Sequence, residues 1–79
     1  MLTLYRLASC PFCAKVEHRL DALDLEYETV DVPRARSQRT TVHEISDQTG
    51  VPVLADPENG VEGMAESDDI VAYLNAQYT

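Results

Sequence analysis

A chain of 79 residues, 44% of them hydrophobic, predicts one small domain with a thin core, since domains of this size bury only about 60% of their unfolded surface. Fourteen acidic residues oppose six basic ones, and the net charge of −8 argues against nucleic-acid binding because phosphate groups would be repelled. Two cysteines are too few for a secreted scaffold held by disulfides, and neither a signal peptide nor a membrane-spanning segment is visible. We therefore expect a cytoplasmic protein that binds neither nucleic acid nor membranes. The acidic surface fits either ordinary solubility or adaptation to high salt, and both interpretations stay open.

Hydrophobic periodicity and turn residues predict a βαβαββα order of elements. They predict strands at residues 2–7, 26–32, 51–55 and 61–64, and helices at residues 11–23, from residue 37 or 40 to residue 47, and from Ser67 onwards. Only Val42 and Ile45 form the apolar stripe of the second helix, and Gly50 is its predicted stop. Ser67 is the predicted N-cap of the last helix. The crossover between the first two strands implies that they pair in parallel, so the elements form a small α/β sandwich.

The stretch Ser9-Cys10-Pro11-Phe12-Cys13 holds both cysteines of the chain. A disulfide between them closes so small a ring that it adds little stability, which indicates a bond made to open and close. Pro11 fits the first turn of a helix, so Cys10 is expected at the N-cap, where free N–H groups and the helix dipole favour a thiolate. Cys13, one turn later, can then attack a mixed disulfide formed at Cys10. A structural disulfide remains an alternative.

Zinc is a poor match to this sequence. A structural zinc site needs four ligands, whereas His18 and His43 do not stand at a spacing that pairs them with the two cysteines. We therefore expect no metal site formed within the chain.

Three motifs resemble glutaredoxins in their order and spacing, over nearly the whole chain. They are Cys10-Pro11-Phe12-Cys13 after the first strand, Gly50-Val51-Pro52 before the third, and Gly63 with Ser67-Asp68-Asp69 at the last helix. Glu66-Ser67 and the following Ile70-Val71-Ala72-Tyr73-Leu74 also resemble the N-terminal, glutathione-binding domain of glutathione transferases. The resemblance implies one glutaredoxin-like domain over residues 1–79, with a thioredoxin-like fold around a four-stranded mixed sheet.

The resemblance also implies roles for individual residues. Cys10 matches the attacking cysteine of the family, and Cys13 matches the resolving one. Val51 and Pro52 match a valine–cis-proline step at the active site, where the valine backbone pairs with the cysteinyl part of glutathione. The full set implied to bind the thiol is Pro11, Phe12, Arg39, Val51, Pro52, Ser67 and Asp68.

The two ends of glutathione are matched differently in this sequence. Ser67 and Asp68 match the positions that hold its γ-glutamyl group, and a helix N-terminus suits a carboxylate. At the other end, Leu7 stands where many glutaredoxins have a lysine. Arg39 is a candidate for the distal carboxylate, together with Arg6 and Gln48, although a solvated arginine is an equally good interpretation.

The sequence therefore predicts a monomeric thiol–disulfide oxidoreductase that reduces mixed disulfides and protein disulfides. Its co-substrate would be glutathione or a related γ-glutamyl thiol, with no bound cofactor, and its partners would be small thiols and disulfide-bearing proteins. The alternative is a module that carries an iron–sulfur cluster, or binds thiols, without turnover.

Overall fold

The computed structural model describes residues 2–78 and confirms the predicted order of elements. Met1 and Thr79, the ends of the predicted domain, lie outside the described residues. The strands are β1 (Leu2–Arg6), β2 (Tyr27–Asp31), β3 (Val53–Asp56) and β4 (Val61–Ala65). The helices are α1 (Pro11–Ala22), α2 (Thr40–Ser46) and α3 (Ser67–Tyr78). Short 3₁₀ turns cover Arg36–Gln38 and Pro57–Asn59.

The four strands form one mixed sheet in the order β2-β1-β3-β4. β1 pairs in parallel with β2 because α1 crosses over between them, and it pairs antiparallel with β3. β3 and β4 pair antiparallel across a tight turn in which Gly60 adopts a φ of 76°, a conformation that favours glycine. The predicted α/β sandwich with a four-stranded mixed sheet is therefore confirmed.

The core consists of two clusters, one on each face of the sheet, because successive strand residues point to opposite faces. The larger cluster packs α1 and α3 on one face, and its buried members are Leu2, Leu4, Val16, Leu20, Leu54, Ile70 and Leu74. The smaller cluster packs α2 on the other face, around the buried residues Val32, Val42 and Val53. Burying each Leu or Ile side chain contributes about 1.5–3 kcal/mol, so most of the apolar stabilisation lies on the α1–α3 face.

Both predicted cap residues are wrong: the cap of α2 lies three residues before Gly50, and the cap of α3 lies one residue before Ser67. The helix α2 ends at Ser46, where Asp47 takes the left-handed conformation with a φ of 59° and donates to the His43 carbonyl at 2.9 Å. Aspartate tolerates this conformation, so Gly50 is not needed as the stop. The helix α3 already includes Ser67, and Glu66, with a φ of 71°, occupies the cap position. The Glu66 carbonyl accepts the hydrogen bond from the Ile70 N–H at 3.0 Å.

Gly63 allows α2 to pack directly on β4. A Cβ at this position would collide with the backbone carbonyl of Ile45, an atom that cannot move aside as a flexible side chain can. The close approach positions the segment between α2 and β3, which leads into the region around the cysteines.

Candidate functional site

Cys10 stands at the N-cap of α1, as the sequence predicts. Its backbone is extended, with φ −88° and ψ 115°, and Pro11 begins the helix. The Cys10 Sγ accepts a hydrogen bond from the Cys13 N–H at 3.4 Å. A first-turn N–H and the positive end of the helix dipole therefore face the sulfur that thiol exchange requires.

Cys13 is the shielded member of the pair. Its exposed fraction is 0%, whereas Cys10 is only partly buried, and both are free thiols. Burial raises the pKa of Cys13 to about 11, although a backbone hydrogen bond at Leu7 acts in the opposite direction. An incoming disulfide therefore meets the Cys10 sulfur first.

The backbone of Val51 lies beside the Cys10 thiol. The thiol can donate to the Val51 carbonyl at 3.9 Å, and the Val51–Pro52 peptide bond is cis. Within residues 2–78 the Val51 N–H has no hydrogen-bond partner. The residue whose carbonyl contacts the reactive sulfur thus also has a free backbone donor.

Gln48 braces the segment immediately before Val51. Its side-chain Oε1 accepts from the Gly50 N–H at 2.6 Å, and its Nε2 donates to the Gly50 carbonyl at 2.9 Å and to the Ser46 hydroxyl at 3.1 Å. A single amide group therefore satisfies both backbone groups of Gly50. The sequence offers no signal for this brace, because a Gln two residues before a Gly has no characteristic pattern.

The first turn of α3 supplies the other wall of the site. Ser67 is buried and Asp68 is exposed, and the first N–H groups of a helix have no partners within it. The Asp68 carboxylate forms an ion pair with Lys15 of α1, the one lysine of the chain. This contact ties together the two helix N-termini at the site, and no sequence pattern predicts it.

A cleft of about 200 Å³ brings these elements together. Its lining residues are Phe12, Gln48, Gly50, Val51, Pro52, Ala65, Glu66, Ser67 and Asp68. Five residues from the predicted binding set are among them, and Phe12, at the mouth, is 61% exposed. Pro11 adjoins the cleft through its neighbour Phe12, and Cys10 borders it through the contact with the Val51 carbonyl.

The structure does not bring Arg39 into this cleft. Its exposed fraction is 6%, and its guanidinium donates to the carbonyls of Pro33 at 2.7 Å, Thr49 at 2.9 Å and Arg34 at 3.2 Å. These bonds suit a residue that positions the loop rather than one that contacts a ligand. Arg6 is engaged as well, since it pairs with Glu17 and Asp31.

Within the described part of the chain, no group of three or more His, Cys, Asp or Glu residues is arranged to hold a metal ion. Among residues 2–78, no helix is both long and apolar enough to cross a membrane.

Comparison with known proteins identifies the family. The model of the glutathione S-transferase N-terminal domain matches residues 4–79. An uncharacterized glutaredoxin-like 8.6 kDa protein of Clostridium pasteurianum is 29% identical over 73 residues, which covers 90% of this chain and 97% of that protein.

Solved structures agree with this assignment and establish the thioredoxin-like fold. Glutathione transferase E6 of Drosophila melanogaster is 35% identical, with a TM-score of 0.85, over 100% of this chain and 36% of that chain. Glutaredoxin 2 of Salmonella typhimurium, in complex with glutathione, is 25% identical, with a TM-score of 0.81, over 95% of this chain and 33% of that chain. The chain therefore spans about a third of these solved proteins.

Proposed function

This chain belongs to the family of glutathione S-transferase N-terminal domains, and we propose that it works as a glutaredoxin-type thiol–disulfide oxidoreductase. The proposal treats residues 1–79 as one glutaredoxin-like domain. The observation that carries it is the placement of Cys10, whose partly exposed sulfur lies at a helix N-terminus and 3.9 Å from the Val51 carbonyl. A structural disulfide needs neither an accessible sulfur nor a free backbone donor beside it.

The chemistry would begin with the Cys10 thiolate attacking the glutathione sulfur of a mixed disulfide. The old S–S bond breaks, the other thiol leaves and takes up a proton, and glutathione becomes bonded to Cys10. A second glutathione thiolate then attacks the glutathione sulfur, releases glutathione disulfide and regenerates the Cys10 thiolate. With a protein disulfide, Cys13 would instead attack the mixed disulfide and leave a Cys10–Cys13 disulfide.

The cleft supplies contacts for a γ-glutamyl thiol. The Val51 N–H and carbonyl would pair with the cysteinyl part as one strand pairs with another. The first-turn N–H groups at Ser67 and Asp68 would hold the α-carboxylate, and the Asp68 carboxylate would accept from the ammonium group. Phe12 covers one side of the cleft with apolar surface. Pro11 places these contacts in reach by starting the helix directly after Cys10.

The relatives support glutathione-related thiol chemistry in general. One curated relative is described as glutaredoxin-like, and a solved glutaredoxin with the same fold holds glutathione. Glutathione is therefore our proposed co-substrate, with disulfide-bearing proteins as the other partners.

The test is reduction of a small mixed disulfide between glutathione and cysteine, with excess glutathione as the reductant. We expect Cys10→Ser to lose about 10³-fold or more in kcat/KM, because no second accessible thiol can replace it. Cys13→Ser should stay active on this substrate but fail to reduce an intramolecular protein disulfide. Equal losses in both variants would contradict the assignment of Cys10 as the attacking group.

The alternative function has a spectroscopic test. Freshly isolated protein that shows charge-transfer absorbance near the visible range, and no turnover, would favour a cluster-carrying module. A colourless, active monomer would support the oxidoreductase. If no cluster is bound, Cys10→Ser should have the same visible absorbance spectrum as the wild type and should fold equally well.

A further inference from the structure

Half of the basic residues of this acidic protein lie in one short segment. Residues 32–43 contain three arginines and no acidic residue, although the whole chain has only six basic residues and a net charge of −8. Two of these arginines, Arg34 and Arg36, are exposed, so the segment adds positive charge to the surface of an acidic chain. Positive regions of this kind attract anionic partners.

The cations outside this segment are all engaged. Arg6 pairs with two carboxylates, Lys15 pairs with Asp68, and Arg19 donates to the Asn75 side chain. By contrast, the exposed guanidinium groups of Arg34 and Arg36 have no hydrogen bond or ion pair within residues 2–78. Two arginines thus remain unpaired in a chain that has a large excess of carboxylates.

We name the surface formed by Arg34, Arg36 and the exposed His43 the arginine patch. It borders a hollow of about 310 Å³ whose lining includes Arg36, His43 and Thr49, with Glu44 as a single carboxylate on the rim. The buried Arg39 fixes this surface, because its guanidinium holds the carbonyls of Pro33, Arg34 and Thr49. The patch is therefore built on a segment with defined backbone contacts.

The arginine patch adjoins the thiol cleft. Thr49, which lines the hollow, precedes Gly50 and Val51, which line the cleft, and Val51 contacts the Cys10 sulfur. The carboxylates on the cleft lining, Glu66 and Asp68, lie at the start of α3, a different element. A polypeptide whose disulfide lies at Cys10 could therefore pass over the patch on the α2 side.

We propose that the arginine patch docks an acidic segment flanking the disulfide of a protein substrate, and that it thereby selects which proteins present their disulfide to Cys10. The proposal rests on the oxidoreductase function proposed above. The proposal is based on charge complementarity. Acidic residues of a partner are attracted to the arginine patch and are repelled by the carboxylates that outnumber basic residues in the rest of the chain. The complementarity would therefore fix the orientation of the partner as well as favour its association.

The activity test uses two glutathionylated peptides that differ only in three residues beside the cysteine, Glu in one and Gln in the other. The net charge of −8 alone would favour the Gln peptide, whereas the arginine patch should make the wild type favour the Glu peptide by about fivefold at low salt. In R34Q/R36Q this preference should vanish, while kcat/KM for the Gln peptide and for the small glutathione–cysteine disulfide should stay within about twofold. At about 0.5 M salt the wild-type preference should also largely disappear.

The matched control is A22E/A76E. It lowers the net charge by the same two units, but its exposed positions lie in the last turns of α1 and α3, and both helices begin at the cleft. This control should keep the preference for the Glu peptide. Three results would overturn the proposal: a wild type that does not favour the Glu peptide, an unchanged preference in R34Q/R36Q, or a loss in that variant on the small disulfide too. The last result would mean that the patch recognises the carboxylate of the small thiol.

A binding measurement separates this proposal from the proposed activity. Labelled Glu and Gln peptides with Ser in place of Cys can be titrated with the protein and followed by fluorescence anisotropy. Tighter binding of the Glu peptide, lost in R34Q/R36Q and kept in A22E/A76E, would support docking even if no disulfide were reduced. Equal binding of both peptides would overturn docking, whatever the activity.

Discussion

The two ends of β3 carry polar groups that are used in opposite ways. Just before the strand, Val51 and Pro52 lie at the open cleft, where the Val51 carbonyl contacts the Cys10 thiol and the Val51 N–H has no partner within residues 2–78. At its other end, Asp56 is completely buried, with an exposed fraction of 0%. One end of the strand leaves a backbone donor open to a ligand, and the other end buries a carboxylate and holds one of its oxygens with hydrogen bonds from within the fold.

The buried end is a compact hydrogen-bond network around Asp56. Its Oδ2 accepts from the hydroxyls of Tyr73, at 2.7 Å, and Tyr78, and from the Asn59 amide at 2.8 Å. Its Oδ1 has no partner within residues 2–78. The network fastens the last turns of α3 to the end of β3, far from the first turn of α3 that lines the cleft. We therefore expect the buried end to determine stability and the open end to determine activity.

The largest effect on stability should come from Asp56→Asn. The substitution keeps the size of the side chain but removes the charge that the two tyrosines and Asn59 solvate, so it should destabilise the fold by about 1–3 kcal/mol. Urea unfolding measures this loss, and kcat/KM on the small mixed disulfide should change less than about twofold. A large loss of kcat/KM in the folded variant would contradict the expectation that the buried end affects stability and not activity.

The pH dependence gives this variant a second signature. Burial alone would raise the pKa of Asp56, but the hydrogen bonds from Tyr78, Asn59 and Tyr73 outweigh it and leave the pKa below its usual value. A carboxyl group with a lowered pKa in the folded state stabilises the protein above its unfolded pKa, and this contribution is lost as the pH falls through the folded pKa. Wild-type stability should therefore fall more steeply on acidification than that of Asp56→Asn. Parallel acid profiles would contradict the assignment.

The second prediction concerns the two cysteines at the open end. Because burial raises the pKa of Cys13 to about 11, its thiolate fraction at neutral pH is small and rises about tenfold per pH unit. Release of glutathione from glutathionylated Cys10, with no other thiol present, should therefore accelerate about tenfold per pH unit between pH 6 and 9. Quenched-flow mass spectrometry measures this rate, and Cys13→Ser should show no release. A rate that levels off below pH 8 would show that Cys13 becomes a thiolate more easily once Cys10 is modified.

Sequence patterns predicted the fold well because the signals are local. The spacing of Val16 and Leu20 identified α1, and Pro11 after Cys10 identified its first turn and its cap. The strands followed from their own apolar residues and from the turn that ends at Gly60. Helix ends were less predictable, because Asp47 and Glu66 adopt left-handed conformations that residues other than glycine adopt rarely.

The supporting contacts of the site could not be predicted, because each joins distant parts of the chain or depends on one side-chain direction. Lys15 and Asp68 are 53 residues apart, and only the packing of α1 beside α3 brings them together. Arg39 was a candidate for a ligand's carboxylate, yet it binds the carbonyls of Pro33 and Arg34 before it and of Thr49 beyond α2. Asp56 follows directly after the predicted strand at residues 51–55, and its burial depends on two tyrosines in the last helix.

The third prediction tests how the open end distinguishes small thiols. Leu7 provides no cation for a glycine carboxylate, and Arg6 and Arg39 are engaged in contacts within the fold. γ-Glutamylcysteine should therefore serve nearly as well as glutathione. The measurement is kcat/KM for the two corresponding mixed disulfides at equal salt. A preference for glutathione above about tenfold, or ~1.4 kcal/mol, would show that another group, such as the arginine patch, binds the glycine end.

The smallest expected effect concerns the ion pair between Lys15 and Asp68. Unlike the buried Asp56 network, this ion pair is exposed. Asp68 lines the cleft and Lys15 does not, so Lys15 contacts the Asp68 carboxylate from outside the cleft. Its positive charge partly offsets the negative charge of Asp68, which would otherwise attract the α-ammonium group of the thiol more strongly. Exposed ion pairs contribute about 0–1 kcal/mol, so Lys15→Gln should raise kcat/KM for glutathione mixed disulfides only about two- to threefold. The same variant should not affect glutaryl-cysteinyl-glycine mixed disulfides, which lack the ammonium group.

A double-mutant cycle shows whether this small effect acts through Asp68. In an Asp68→Asn background, Lys15→Gln should have a smaller effect on kcat/KM for glutathione substrates than it has in the wild type. The reason is that the Asp68 carboxylate, whose charge Lys15 offsets, is no longer present. Raising the salt concentration should shrink the wild-type effect as well, since exposed charges are screened. If Lys15→Gln instead lowers kcat/KM for both substrates, the ion pair holds the two helix N-termini in place. The open end of β3 would then depend on internal contacts, as the buried end does.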